Sequence, residues 1–160
     1  MKKLTLLFLL LFGFTMQAQE VAKNALGLRL GGADGIGFEI SYQRALGSNN
    51  RLEADLGWRD NDHFEGFQLT GLYQWVWQIE QRFNWYAGVG GGFGDREHDH
   101  HHNGNHNHDD DEGVYVFVAG VVGIEYSFDI PLMLSLDFRP GIGSKHYDGY
   151  DLALGIRYQF

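Results

Sequence analysis

Between residues 25 and 160 the chain alternates apolar and polar side chains again and again, about ten residues at a time with a turn after each run. A period of two is the pattern of half-buried β-strands and is incompatible with helices. Leu26, Leu28 and Leu30 alternate with Gly27, Arg29 and Gly31. Ile36, Phe38, Ile40 and Tyr42 alternate with Gly37, Glu39, Ser41 and Gln43, and Leu52, Ala54, Leu56 and Trp58 with Arg51, Glu53, Asp55 and Arg59. Phe67, Leu69, Tyr73, Trp75 and Trp77 oppose Gln68, Thr70, Gln74 and Gln78 in the fourth run. Phe83, Trp85, Ala87, Val89 and Phe93 oppose Arg82, Asn84, Tyr86 and several glycines in the fifth. The sixth is less clean, with Val116, Val118, Val122, Ile124 and Phe128 against Glu125 and Ser127. Leu132, Leu134, Leu136 and Phe138 oppose Ser135, Asp137 and Arg139. In the last, Leu152, Leu154, Ile156, Tyr158 and Phe160 oppose Asp151, Ala153, Gly155, Arg157 and Gln159.

These runs number eight, and an even number lets an antiparallel sheet close on itself without free edges. Two closed barrels fit, one the inverse of the other: a soluble barrel with an apolar cavity, or a membrane barrel with an apolar outer band and polar interior. The aromatics favour the second. With the N-terminus on the periplasmic side, Tyr42, Trp75, Trp77, Phe83, Trp85, Tyr126, Phe128, Tyr158 and Phe160 fall at one set of strand ends. Trp58, Phe67, Phe93 and Phe138 fall at the other. Rings of amphipathic aromatics suit the two lipid–water interfaces. The connections agree: "LGSNN", "EQ" and "DIP" read as short turns on one side, and "GGADG", "RDNDHFEG", a His-rich stretch and "SKHYDGY" as loops on the other. The expected fold is therefore all-β, an eight-stranded antiparallel up-and-down transmembrane β-barrel.

"MKKLTLLFLLLFGFTMQAQE" has two lysines, an apolar run from Leu4 to Phe14, and small and polar residues around Ala18. The run is too short to span a bilayer and reads as a secretory signal peptide. Residues 1–18 are expected to be removed, leaving 19–160 as one barrel domain. The absence of cysteine excludes a disulfide framework, a Cys-ligated zinc site and a lipid-modified N-terminal cysteine. A formal charge of −9 argues against nucleic acid, which demands a basic face.

Over residues 25–160 the chain resembles the small OmpA/OmpX-type eight-stranded outer-membrane β-barrels, down to a closing strand "DLALGIRYQF" that alternates and ends in Phe160. The resemblance implies the outer membrane of a Gram-negative bacterium, contact with its lipid, a monomer, and recognition of the terminal strand by the barrel-assembly machinery. Since the chain stops at Phe160, the periplasmic peptidoglycan-binding domain of larger members is not expected.

Parity assigns Arg29, Arg51, Arg59, Arg82, Arg139 and Arg157 to the lumen, with Glu39, Glu53, Asp55, Glu125, Asp137 and Asp151. Every basic member is arginine, whose planar fork suits bidentate carboxylate pairing. Eight strands enclose a space that side chains just fill, so the expected interior is a salt-bridged plug, with a narrow channel as the competing reading. Some eight-stranded barrels modify lipid A, and "GSKHYDGYD" holds the residue types of a hydrolytic triad in Ser144, His146 and Asp148 or Asp151. However, Pro140, Gly141 and Gly143 are expected to interrupt the strand there, and even parity turns Ser144 and His146 outward while Asp151 faces in. Proximity in sequence is not triad geometry, so no enzymatic activity is expected.

The stretch "REHDHHHNGNHNHDDDEG" is the longest external loop, between the fifth and sixth strands. His98, His100, His101, His102, His106 and His108 offer imidazole nitrogens, the usual ligands of zinc, copper and nickel. Asp99, Asp109, Asp110, Asp111 and Glu112 are placed to attract a cation and complete its shell, and "NGN" is a turn that folds the two His groups together. The spacing is not that of a preformed zinc site, and ordering the loop costs entropy, so affinity is expected near micromolar. No cofactor is required. Two other readings stand beside metal capture. The seven carboxylates, one arginine and six histidines of residues 95–112 make the loop a charge switch near pH ~6.5 that would alter adhesion to a surface partner, or it is an inert hydrophilic cover. His63 and His146 read as polar loop residues.

Overall fold

A computed structural model describes residues 22–31, 37–61, 64–95, 113–144 and 148–160; the side chains of residues 59–61, 64, 65 and 148 are outside that description, as is the candidate signal peptide. Among the described residues are eight strands: β1 Asn24–Gly31, β2 Gly37–Ala45, β3 Asn50–Asn61, β4 Phe64–Glu80, β5 Phe83–Gly94, β6 Tyr115–Ser127, β7 Leu132–Gly143 and β8 Asp148–Gln159. Each pairs antiparallel with the next, and β1 pairs with β8 from Ala25↔Gln159 to Gly31↔Ala153, so the sheet closes. Closure satisfies every strand edge, which an apolar surround requires because it offers backbone groups no other partner.

Alternation decides which face goes where. Leu28, Ile40, Leu52, Leu69, Val89, Val118, Leu134 and Leu154 all point outward and are exposed, whereas Arg29, Glu53, Asp55, Gln74, Asp137 and Arg157 are at most 2% exposed. A water-soluble barrel would reverse this arrangement, since so continuous an apolar surface does not stay in water. Outward aromatics cluster at both ends and touch across strands: Trp77 stacks on Trp85 at 4.3 Å between centroids at the short-turn end, and Phe38 on Trp58 at 6.1 Å at the other. The fold is a transmembrane β-barrel.

The short turns form as expected. Leu46 N–H donates to Asn50 O at 2.8 Å, Glu80 pairs with Phe83, and Phe128 N–H donates to Leu132 O at 2.9 Å. Two expectations at the opposite end are corrected. "RDNDHFEG" is not a loop from end to end: Arg59↔Gly66, Asp60↔Glu65 and Asn61↔Phe64 extend the β3–β4 hairpin. Nor do Pro140, Gly141 and Gly143 break β7, which keeps its pairing to β8 through Pro140↔Tyr150 and Gly141↔Gly149. Toward β6 the ladder does skip Arg139 and Pro140, between Val122↔Phe138 and Ala119↔Gly141, at a proline that has no N–H to donate.

Candidate functional site

The inward residues divide the lumen into a charged side and an apolar side. On the charged side, Arg29 of β1 meets Glu39 of β2 at 2.9 Å, Asp137 of β7 at 2.6 Å and Asp151 of β8 at 2.5 Å. Arg139 of β7 meets Glu53 at 2.9 Å and Asp55 at 2.8 Å on β3, and Glu39 at 3.5 Å. Arg157 of β8 reaches Glu53 at 3.3 Å and takes Ser41 Oγ and Ser135 Oγ as acceptors at 3.0 and 2.7 Å. Gln43 Nε2 also donates to Glu53. Shared carboxylates therefore join three arginines into one network tying β1, β2, β3, β7 and β8. Pairs buried this deeply must be well made, because their attraction has to offset the loss of hydration.

The apolar side was not foreseen. Leu72 and Val76 of β4, Tyr86 of β5, and Tyr115, Phe117, Ala119 and Val121 of β6 form a buried cluster. Period-two reading misses it because the inward and outward positions of β6 are both apolar, so no alternation marks the faces. The available signal was the partner strand: inward glycines of β5 lie directly across from inward aromatics of β6, in Gly92↔Phe117 and Gly94↔Tyr115. The two sides meet at Tyr86, whose hydroxyl donates to Asp137 at 3.0 Å and whose ring lies 4.7 Å from the Arg51 guanidinium carbon. Arg51 in turn pairs with Glu125 at 2.7 Å.

Four of the six expected lumen arginines, Arg29, Arg51, Arg139 and Arg157, are buried in this interior. Arg59's side chain lies outside the described residues. Arg82 does not face in: it sits in the β4–β5 turn, exposed, and pairs with Asp129 of the β6–β7 turn. The hydrogen bond it donates to Asp129, with a further contribution from Tyr126, raises its pKa above the ordinary arginine value. Among the described side chains the lumen thus holds Arg29, Arg51, Arg139 and Arg157 against six buried carboxylates, not the balance that parity suggested.

Of the residue types considered for a triad, Ser144 and Asp151 are not brought together. Ser144 is exposed at the end of β7, where its Oγ accepts from Val116 N–H at 3.1 Å, while Asp151 faces inward onto Arg29. His146 and the side chain of Asp148 are outside the described residues. The metal candidates His98, Asp99, His100, His101, His102, His106, His108, Asp109, Asp110 and Asp111 also lie outside them, in 96–112. The described residues contain no group of three or more His, Cys, Asp or Glu side chains arranged to hold a metal. What they do fix is the loop's anchorage: it leaves β5 after Gly94 and re-enters β6 at Tyr115, two residues that pair directly. Gly113, at the re-entry, has φ 145°, a backbone conformation that favours glycine.

At the short-turn end the filling stops, leaving a cavity of about 260 Å³. Its inner wall is Arg51 and Glu125, and its rim includes Ser48, Asn49 and Ser127.

No protein-family model and no curated protein matches the chain. Solved structures do share its fold. The N-terminal β-barrel domain of Pseudomonas aeruginosa OprF superimposes with a TM-score of 0.68 at 13% identity, covering 89% of this chain and 100% of that one. Neisserial surface protein A gives 0.59 at 11%, covering 86% and 94%. Ail, the attachment invasion locus protein of Yersinia pestis, gives 0.55 at 14%, covering 89% and 100%. At these identities the likeness is one of architecture.

Proposed function

We propose that this chain is a non-enzymatic surface protein of a Gram-negative outer membrane, a barrel with a filled lumen that carries a His/Asp-rich external loop for capturing divalent transition metal. The observation that carries the first half is the inversion of the barrel. Its outward face is apolar with aromatics at both rims, and arginine–carboxylate pairs occupy its interior. Such a body suits a rigid mount whose specificity resides in its loops. Export by the N-terminal segment and assembly through the strand ending in Phe160 complete this reading.

The second half rests on the loop's chemistry. Six imidazoles and flanking carboxylates span only His98 to Glu112, enough donors for zinc, copper or nickel, between chain ends that β5 and β6 hold side by side. Zinc titrated by calorimetry into refolded, detergent-solubilised protein is expected to bind saturably at about micromolar affinity. Binding should disappear when every histidine from His98 to His108 is changed to Asn. Equal heats from the two proteins would remove metal capture from the reading and leave the barrel.

A further inference from the structure

We infer that the β1–β2 corner at the short-turn end is a docking site for the headgroup of an anionic phospholipid, with Arg44 as the phosphate ligand and Lys23 beside it. The inference starts from an isolated charge. Arg44 is exposed on the outward face of β2, between Asn24 of β1 and Leu52 of β3. Apart from Glu80 at the β4–β5 turn, no other described outward side chain of the eight strands is charged. Every other arginine with a described side chain has a carboxylate: Arg29, Arg139 and Arg157 in the lumen network, Arg51 on Glu125, and Arg82 on Asp129. Among the described residues Arg44 has none, and neither has Lys23.

The polar groups nearest to Arg44 are committed to one another. Tyr42 Oη donates to Asn24 Oδ1 at 2.8 Å, and Asn24 Nδ2 donates to Phe160 O at 3.4 Å. The guanidinium's N–H groups are left for a ligand, and their planar fork suits the paired oxygens of a phosphate.

Position decides which phosphate. Tyr42 belongs to the aromatic ring of this rim, and such rings sit at headgroup level. Arg44 lies two residues beyond it, about 7 Å along the strand, which carries the guanidinium from the edge of the apolar band to the level of lipid phosphates. Leu26 and Leu52 flank it on the side of the band, 47% and 45% exposed, and give an acyl chain a surface that a free phosphate ion does not use. Lys23 stands at the same corner, its carbonyl accepting from the N–H of Ala45, the residue after Arg44, at 3.0 Å. Two neighbouring cations favour a lipid of net negative charge over a zwitterionic one, whose ammonium they repel. The chain as a whole carries a formal charge of −9, so its general field repels anionic lipid and the attraction is local to this corner. The inference rests on the reading of the barrel as an outer-membrane protein whose short-turn end meets a phospholipid leaflet, and it is independent of metal capture by the loop.

The test places the refolded full barrel in phosphatidylcholine nanodiscs and raises the share of phosphatidylglycerol at constant total lipid. Nuclear magnetic resonance of Arg44 Nε–H and of the backbone amides of Asn24 and Ala45 reports on the corner. These signals should shift saturably, with a preference for phosphatidylglycerol of about tenfold or more, as two interfacial cations supply. Millimolar inorganic phosphate, added to nanodiscs of phosphatidylcholine alone, should leave them in place. Changing Lys23→Gln and Arg44→Gln together should abolish the response of the two backbone amides. Arg82→Gln removes one charge from the same rim but from a closed pair, and should keep it. All three side chains are exposed, so the variants retain the fold, and a dispersed amide spectrum reports insertion. A response that never saturates, an equal response in the double variant, or equal shifts with inorganic phosphate would each overturn the assignment alone. A barrel that does not insert would overturn the outer-membrane reading with it.

Discussion

Arg29 donates to carboxylates on three other strands, and its side chain is 1% exposed. Arg29→Met keeps the volume but leaves Glu39, Asp137 and Asp151 short of a cation, and removing one partner of a buried ion pair costs about 3–5 kcal/mol. The urea midpoint of the refolded barrel should fall accordingly, at unchanged m-value. Arg82→Ala is the contrasting case. That arginine pairs with Asp129 in water, where such pairs contribute little, so the midpoint should not move. An equal loss in both would mean that the lumen network contributes nothing particular to stability. The same contrast shows what parity can read. Arg29, Arg51, Arg139 and Arg157 lie inside unbroken runs, where one count of two settles the face. Arg82 follows the register shift between Gln78 and Glu80, and past that break the count no longer applies.

The β5–β6 pair is the element the sequence conceals most. Its inward aromatics lie flat over glycines of the neighbouring strand, so side-chain bulk on one strand matches its absence on the other. A Cβ at Gly123 would lie 2.5 Å from Tyr86 Cζ and 2.8 Å from Asp137 Cβ. Gly123→Ala must displace Tyr86, whose hydroxyl holds Asp137, at a cost of about 1–3 kcal/mol for overpacking. Gly71 faces outward, and a Cβ there meets only Gly91 O at 4.0 Å. Gly71→Ala should leave stability equal or raise it by about 0.5–1 kcal/mol, the conformational cost of a strand glycine. Chemical denaturation of the two variants side by side checks the pair, and a stable Gly123→Ala barrel would contradict the packing described. The β3–β4 hairpin hid for another reason. Arg59↔Gly66 pairs a polar residue with glycine and Asp60↔Glu65 pairs two acidic residues, and a ladder needs only backbone groups. Where a hairpin rises past the apolar band, neither face is selected for hydrophobicity, and a true strand reads like a loop.

At the scale of the whole molecule, closure and filling follow from one constraint. Eight strands make a cylinder whose interior is about as wide as the side chains that line it. Here the charged side reaches across from β1, β2, β3, β7 and β8, while Leu72, Tyr86 and Phe117 come from β4–β6. The cavity at the short-turn end stops at Arg51 and Glu125, so an ion entering there meets paired charges and not a file of water. Passing further would mean separating guanidinium from carboxylate in a dry interior, which costs several kcal/mol per ion left bare. Protein refolded from denaturant, and so free of co-purified porins, should therefore give no steady conductance in planar bilayers. Brief irregular flickers are compatible with a plug that breathes. Reproducible steps of one amplitude, growing in number with inserted protein, are not: they would require a second packing of Arg29, Arg139 and Arg157 with an open path beside it.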